Sequence, residues 1–587
     1  MSVDRQLSQA KSFIRQGRPS LAAQQYLDIL DRFPKNQRAL TGLAEAIRQP
    51  DAQTVEILAD ELETLRLVYK TGDLQTAFAI GSALLPKASH IPQLRSNLGA
   101  IALDLGDTQR ASAEFELAAK LDPTQPVGWL NLAAAQLRAE RYVEALAAAE
   151  RALLLAPKNG RAQVVYAQIC IAMGKVAEAL DILSRYTGTG PEEMEARISL
   201  GVAQESAGDK DAALATWAAV LDKYPGSAAA LYNYTAIAKA TAENNMADQV
   251  KEAITKERHA AAPSSSALTH LHFAAAKIHH DLEEYPQAFD NYRLGNLLKR
   301  EEEGYNSEED QMRMNFVKSN FPIQNFPQLP SDAIAAPGRP IFIVSLPRSG
   351  STLIEQILSS HSQVTDGGEL DTLTHAVRDT GGVTAPITPD RLADIRDRYF
   401  SGIQARGISG PVFTDKMPLN FRLIGYIALA IPEASVVHMI RDPRATCWSM
   451  YRRLFPRGAA GGSFMYGLED LAKYHHMYRD LMEFWEARLP GRVYHLEYER
   501  LTEQPEAETR KLLEAVGLDF QESCLNFHQN ARSVSTASSQ QVRQPMYRGS
   551  SEEWKHYADY LTEAWGDLKK FEPSQGKDQK TTVKLSA

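Results

Sequence analysis

Pro123, Pro157, Pro191 and Pro225 stand 34 residues apart, and the same interval links Ala111, Ala145, Ala179 and Ala213. It also links Leu98, Leu132, Tyr166 and Leu200, and it sets Gly106, Glu140, Gly174 and Gly208 in one more register. Four registers sharing one period leave little freedom of fold. Each unit has to be one supersecondary element that buries its apolar face only by stacking on its neighbours. In "NLAAAQLRAERYVEALAAAERALLLAPKN" (131–159) the apolar residues keep helical spacing on both sides of Glu140, so a unit is two antiparallel helices. The glycine slot ends the first helix, where the chain often needs positive φ. The alanine slot lets the second helix approach its partner closely, and the proline follows the second helix because it cannot continue it.

This pattern resembles the tetratricopeptide repeat. Irregular copies precede it, one with Gly17 and Pro34 and another around Gly72, and the pattern returns in residues 270–301 after fading past Pro225. A helical solenoid is therefore expected over residues 1–300, with a concave face that takes a peptide or a protein. At 587 residues the chain is too long for one core, so a second domain must follow. The net charge of −9 argues against nucleic acid as the main partner. Three separated cysteines, Cys170, Cys447 and Cys524, offer no zinc site and suit a reducing compartment. No run of 18 apolar residues occurs and the N-terminus has no signal-like stretch, so no membrane span is expected and the reading is cytoplasmic.

Residues 301–337 turn charged, then Pro- and Asn-rich, and are read as a linker. Chemistry begins at 338. "IFIVSL" is apolar throughout, as in a strand covered on both faces of a parallel sheet. "PRSGST" supplies Gly350 for a turn and hydroxyls at Ser349, Ser351 and Thr352, and "TLIEQILSSH" has helical spacing. The start of such a helix aims N–H groups and a positive dipole end at an anion. The usual phosphate loop places a lysine before its hydroxyl. Here Ser351 stands there instead, so ATP hydrolysis is disfavoured, and Arg348 offers the cation. Further on, "SVVHMIRDPRATCWSMYRRL" reads as strand, loop and helix, with Arg441 at the strand's end and Ser449 and Arg453 at i and i+4 on one helix face.

The two segments "PRSGSTL" and "RDPRATCWSM", with "TDKMP" between them, resemble the nucleotide motifs of the sulfotransferase superfamily. Within it they are most similar to the tyrosylprotein sulfotransferase group and to bacterial sulfotransferases fused to tetratricopeptide repeats. The resemblance covers residues 338–572 and implies an α/β P-loop-like domain with a central parallel sheet. It implies 3′-phosphoadenosine 5′-phosphosulfate (PAPS) as sulfate donor, with no metal required. The loop of Arg348, Ser349, Gly350, Ser351 and Thr352 would take the 5′-phosphosulfate, and Arg441, Ser449 and Arg453 the 3′-phosphate. It further implies Glu369 as general base, Lys416 and Ser535 near the transferred group, Tyr498 near the nucleotide, and Arg543 or Arg548 as a further cation. His361 and His375 match no motif base and are read as packing or capping residues. The acceptor hydroxyl is expected to belong to a peptide tyrosine, with a glycan, lipid or small phenol left open, and the repeats would select it. A homodimer is left open, and residues 573–587 are read as a disordered tail. The competing reading is a protein-binding scaffold whose nucleotide domain is not catalytic.

Overall fold

The computed structural model describes residues 3–573 except 17, 34–35, 48–51, 191, 323–325, 332, 456–461, 530–545 and 547–548. By packing, the chain divides into two compact units, Met1–Ser199 and Leu200–Ala587.

The first unit is a series of helix pairs, such as Pro92–Asp104 with Thr108–Leu121 and Pro126–Arg138 with Tyr142–Leu155. The slot between paired helices takes positive φ each time, at Gly106 (84°), Glu140 (59°) and Gly174 (74°). Glu140 thus accepts a backbone that its neighbours in the register meet with glycine. One residue later, Asp107 caps the second helix by accepting from Arg110 N at 2.9 Å. Ala111, Ala145 and Ala179 are fully buried, which agrees with their reading as close-approach positions. Gly17, Pro34 and Pro191 lie outside the described residues.

The second unit is built on five parallel strands in the order β2-β3-β1-β4-β5. They are β1 (Arg339–Val344), β2 (Val364–Thr365), β3 (Val412–Asp415), β4 (Ser435–Ile440) and β5 (Val493–Glu497). Alternate residues of β1 enter two cores. Phe342 and Val344 join Trp448 and Trp485 on one face, and Ile341 and Ile343 join Ile354, Leu512 and Phe527 on the other. Both faces are covered, so "IFIV" reads as continuous apolar sequence.

Helices ahead of the sheet belong to the same core. Phe273, Phe289, Tyr292, Met314, Val317 and Phe321 pack with Phe342 and Trp448 in one cluster. Phe321 meets Tyr426 and Trp485 edge-on at ring distances of 5.3 and 5.0 Å. Within β4 the buried His438 joins His495 (Nδ1 to Nδ1, 2.8 Å) and the Tyr478 hydroxyl. Burial, with the neighbouring His495, holds the His438 imidazole well below its ordinary value. Among the described residues no helix is long and apolar enough to cross a membrane, and all three cysteines are free and buried.

Candidate active site

In open parallel sheets, ligands bind beyond the carboxyl ends of the strands, where the chain reverses its direction of progress across the sheet. From β1 the chain moves to one side, to β2 and β3, and then crosses to β4 on the other. The β1 and β4 ends flank that switch point, and the two motifs expected to bind anions follow these two strands. Every strand end supplies a candidate: Arg348 after β1, Glu369 after β2, Lys416 after β3, Arg441 after β4 and Tyr498 after β5.

After β1 the loop turns through two unusual residues, Arg348 at φ 66° and Gly350 at φ 105°. Arg348 holds a left-handed backbone, a conformation that favours glycine and is costly for a long side chain. Gly350 occupies the N-cap of the helix Ser351–Ser359 and brings no side chain to its first-turn N–H groups. A Cβ there would lie 2.6 Å from Cδ2 of Tyr498. Ser349, Ser351 and Thr352 are buried around this turn.

The second motif closes on the first. Arg348 Nε donates to Ser449 Oγ at 3.1 Å, and Arg441 Nη1 donates to the Arg348 carbonyl at 2.9 Å. The Arg441 guanidinium lies 4.5 Å over the Tyr498 ring, and its other nitrogens reach Ser550 O (2.6 Å) and Ser551 Oγ (3.2 Å). Tyr498 Oη in turn pairs with Ser550 Oγ at 2.8 Å. Burial alone would raise the Glu499 carboxyl, but the Asp442 N–H and the Lys570 ammonium outweigh it and hold the group below its ordinary value.

Arg453 departs from the expected geometry. The helix Pro443–Tyr451 ends two residues before it, so the i, i+4 face with Ser449 does not extend that far. Its charge instead opposes the burial that raises the Glu205 carboxyl and the Tyr232 phenol. Ser449 takes its cation from Arg348 instead.

A second cluster forms at β2 and β3. Lys416, fully buried, donates Nζ to Glu369 Oε1, while Glu369 keeps 42% of its side chain exposed. The Lys416 N–H also donates to the Gly368 carbonyl at 2.9 Å. Beside them burial pushes the Asp415 carboxyl well above the ordinary range, against the Tyr399 hydroxyl (3.1 Å) and the Arg406 guanidinium, and Glu355 and Asp371 push the same way. His361 accepts from Gln363 N at 3.2 Å and contacts the Asp519 carbonyl at 3.0 Å, a packing role. His375 sits 3.9 Å from Asp371.

Ser535, Arg543 and Arg548 lie outside the described residues, as does the tail from 574. Sequence reasoning missed Ser550, Ser551 and Glu499, which hold Arg441 and its neighbours. It also missed Glu355 and Thr414, which hold the Glu369 loop. The local signal for Glu355 is a carboxylate among the apolar residues Leu353, Ile354, Ile357 and Leu358 of "TLIEQIL".

The arrangement gives two cations with hydroxyls around a helix start, and a carboxylate–ammonium pair on the neighbouring strands. Residues 340–522 match the model of the Sulfotransferase family. Residues 7–54 and 92–125 match models of the Tetratricopeptide repeat, and 121–230 that of the Cytochrome c-type biogenesis protein H TPR domain. An uncharacterized protein of Aquifex aeolicus is 32% identical over 304 residues, 49% of this chain and 40% of that protein. Protein-tyrosine sulfotransferase 1 of Danio rerio is 27% identical over 207 residues, 32% of this chain and 55% of that protein. The chain thus spans about half or less of the length of these two relatives. The sulfotransferase domain of the Synechococcus PCC 7002 olefin synthase shares 20% identity, with 39% of this chain and 91% of that one covered at a TM-score of 0.29. With both motifs seated at the switch point of a parallel sheet, residues 340–522 form a sulfotransferase-family domain in a chain that also carries tetratricopeptide repeats.

Proposed function

We propose that this protein transfers a sulfuryl group from PAPS to an acceptor hydroxyl, with residues 338–572 as the catalytic domain and the repeats of residues 1–300 selecting the acceptor. The observation that carries the reading is the bond network from Ser449 through Arg348 to Arg441, which ties both anion motifs into one site. The residues fit a doubly phosphorylated nucleotide. Arg348 with the buried hydroxyls and first-turn N–H groups suits the 5′ side, and Arg441 with Ser449 suits the 3′-phosphate. Arg453 stays a more remote candidate for the 3′ side, and Tyr498 would lie along the nucleotide.

When bound, the donor supplies an activated sulfur–oxygen bond to a phosphate. Glu369 takes the proton from the acceptor hydroxyl, the acceptor oxygen bonds to sulfur, and the phosphate oxygen leaves with its electron pair. Lys416, already paired with Glu369, stands to neutralise that developing charge. Positioning and charge stabilisation then do most of the catalysis, as in phosphoryl transfer. The tyrosine-modifying relatives favour a peptide tyrosine as acceptor.

Radiolabelled PAPS incubated with a tyrosine-containing peptide tests the reading. Label should move to the peptide, and Glu369→Gln should lower kcat about 10²–10⁴-fold while the affinity for adenosine 3′,5′-bisphosphate is kept. Arg441→Ala should weaken the bisphosphate far more than AMP. Bisphosphate binding without any transfer would favour the scaffold, and equal losses for both nucleotides would remove Arg441 from the 3′ side.

A further inference from the structure

Glu355 is an ionisable side chain with no exposed surface, at the fifth position of the helix that starts at the phosphate loop. Its helix neighbours Ile354, Ile357 and Leu358 are core residues, so packing alone would be served by another aliphatic side chain. A buried carboxylate is costly unless it receives hydrogen bonds. Two of the bonds that Glu355 receives come from the loop before Glu369 and the strand beside it. Its Oε1 accepts from Gly368 N at 3.0 Å and from Thr414 Oγ1 at 3.3 Å. The Thr414 hydroxyl in turn accepts from Gly367 N at 3.1 Å. The Gly368 carbonyl accepts from Lys416 N at 2.9 Å. A Cβ on Gly367 would lie 2.0 Å from the Thr414 carbonyl oxygen, so the loop is pressed against β3. The next residue is Glu369.

We propose that Glu355 is a positioning residue: its carboxylate clamps the Gly367–Gly368 backbone, so that the phosphate-loop helix and Glu369 are held as one rigid piece. The inference rests on the reading of Glu369 as base. The physical need is plain, since a misplacement of about 1 Å between a base and its reacting partner can cost about 10²-fold in rate. The donor is gripped at the start of the helix Ser351–Ser359, and the base hangs from the loop after β2. Glu355 joins the two, with Thr414 of β3 as its relay.

The test uses the full chain and two readouts. Amide hydrogen exchange at residues 366–369 reports whether the loop is held. Consumption of labelled PAPS with 4-nitrophenol as acceptor reports kcat and the KM for donor. In Glu355→Ala, exchange at 366–369 should rise about tenfold and kcat should fall about tenfold or more, with the donor KM and the bisphosphate affinity within about threefold of the parent. Glu355→Gln keeps an acceptor oxygen and should restore most of both. Should Glu355→Ala fail to fold, Thr414→Val removes the relay hydroxyl at nearly constant volume and should open the same four residues. Parental exchange in these variants overturns the proposal, and so does open exchange with parental kcat. Full turnover by Glu369→Gln would instead sink the base assignment, while the exchange readout still decides whether Glu355 holds the loop.

Discussion

Gly350 has little latitude in the site. Its φ of 105° is rarely adopted by other residues, and an added Cβ would strike the Tyr498 ring that lies under Arg441. Gly350→Ala should cost about 1–3 kcal/mol and weaken bisphosphate binding, read by thermal melting and titration calorimetry. Asp415 carries a pH prediction. Its carboxyl lies well above the ordinary value in the folded chain. Its stabilising share is therefore complete below the unfolded value near ~3.9 and is lost as pH rises through the folded value. Denaturant melts of Asp415→Asn should show a flatter fall in stability above about pH 4 than the parent. A steeper fall would place the charged form in the fold. Glu369 and Lys416 entered through the resemblance, while Arg348 and Arg441 could be read from sequence because each follows an apolar strand within a short pattern. Glu355 and Ser550 could not, since their partners lie far along the chain and meet them only through the sheet's crossovers.

The helix Pro443–Tyr451 shows how one element is held at both ends. Asp442 Oδ1 accepts from Ala445 N at 2.8 Å at its start, beside Arg441. At its end Asn296, 1% exposed, donates Nδ2 to the Tyr451 carbonyl at 2.9 Å. Asn296 comes from the helix Tyr285–Glu303, so a helix read as part of the repeat array secures the element that carries Ser449. Asn296→Leu leaves that carbonyl unpaired in the core and should lower stability by about 1–3 kcal/mol, measured by chemical denaturation of the full chain. Strands β1 and β4 were legible as apolar runs. β2 is only Val364–Thr365 and had no such signal. The expected register of Ser449 with Arg453 failed because helical spacing was carried past the helix's real end.

At the scale of the second unit, the repeat-like helices from Ser265 and the sheet are less separable than their sequence patterns suggest. Tyr292 meets Trp448 edge-on at 5.7 Å and Phe289 stacks on Tyr560 at 4.5 Å. Such side chains contribute about 1.5–3 kcal/mol each when buried. A fragment of residues 338–587 would expose their partners and should aggregate on size exclusion. A fragment of residues 187–587, cut in the exposed stretch 187–190, should stay monodisperse and bind the bisphosphate as the full chain does. The 34-residue period made the helix pairs legible, but no period could show which pairs would join the second core, because that depends on aromatic contacts across hundreds of positions.

That shared core bears on how such a chain can be recombined. The helix pairs of Met1–Ser199 form a unit of their own and can be traded as a cassette without cutting into the core around the sheet. The helices from Ser265 to Asn320 cannot be traded in that way, because they are inherited with the sheet they brace.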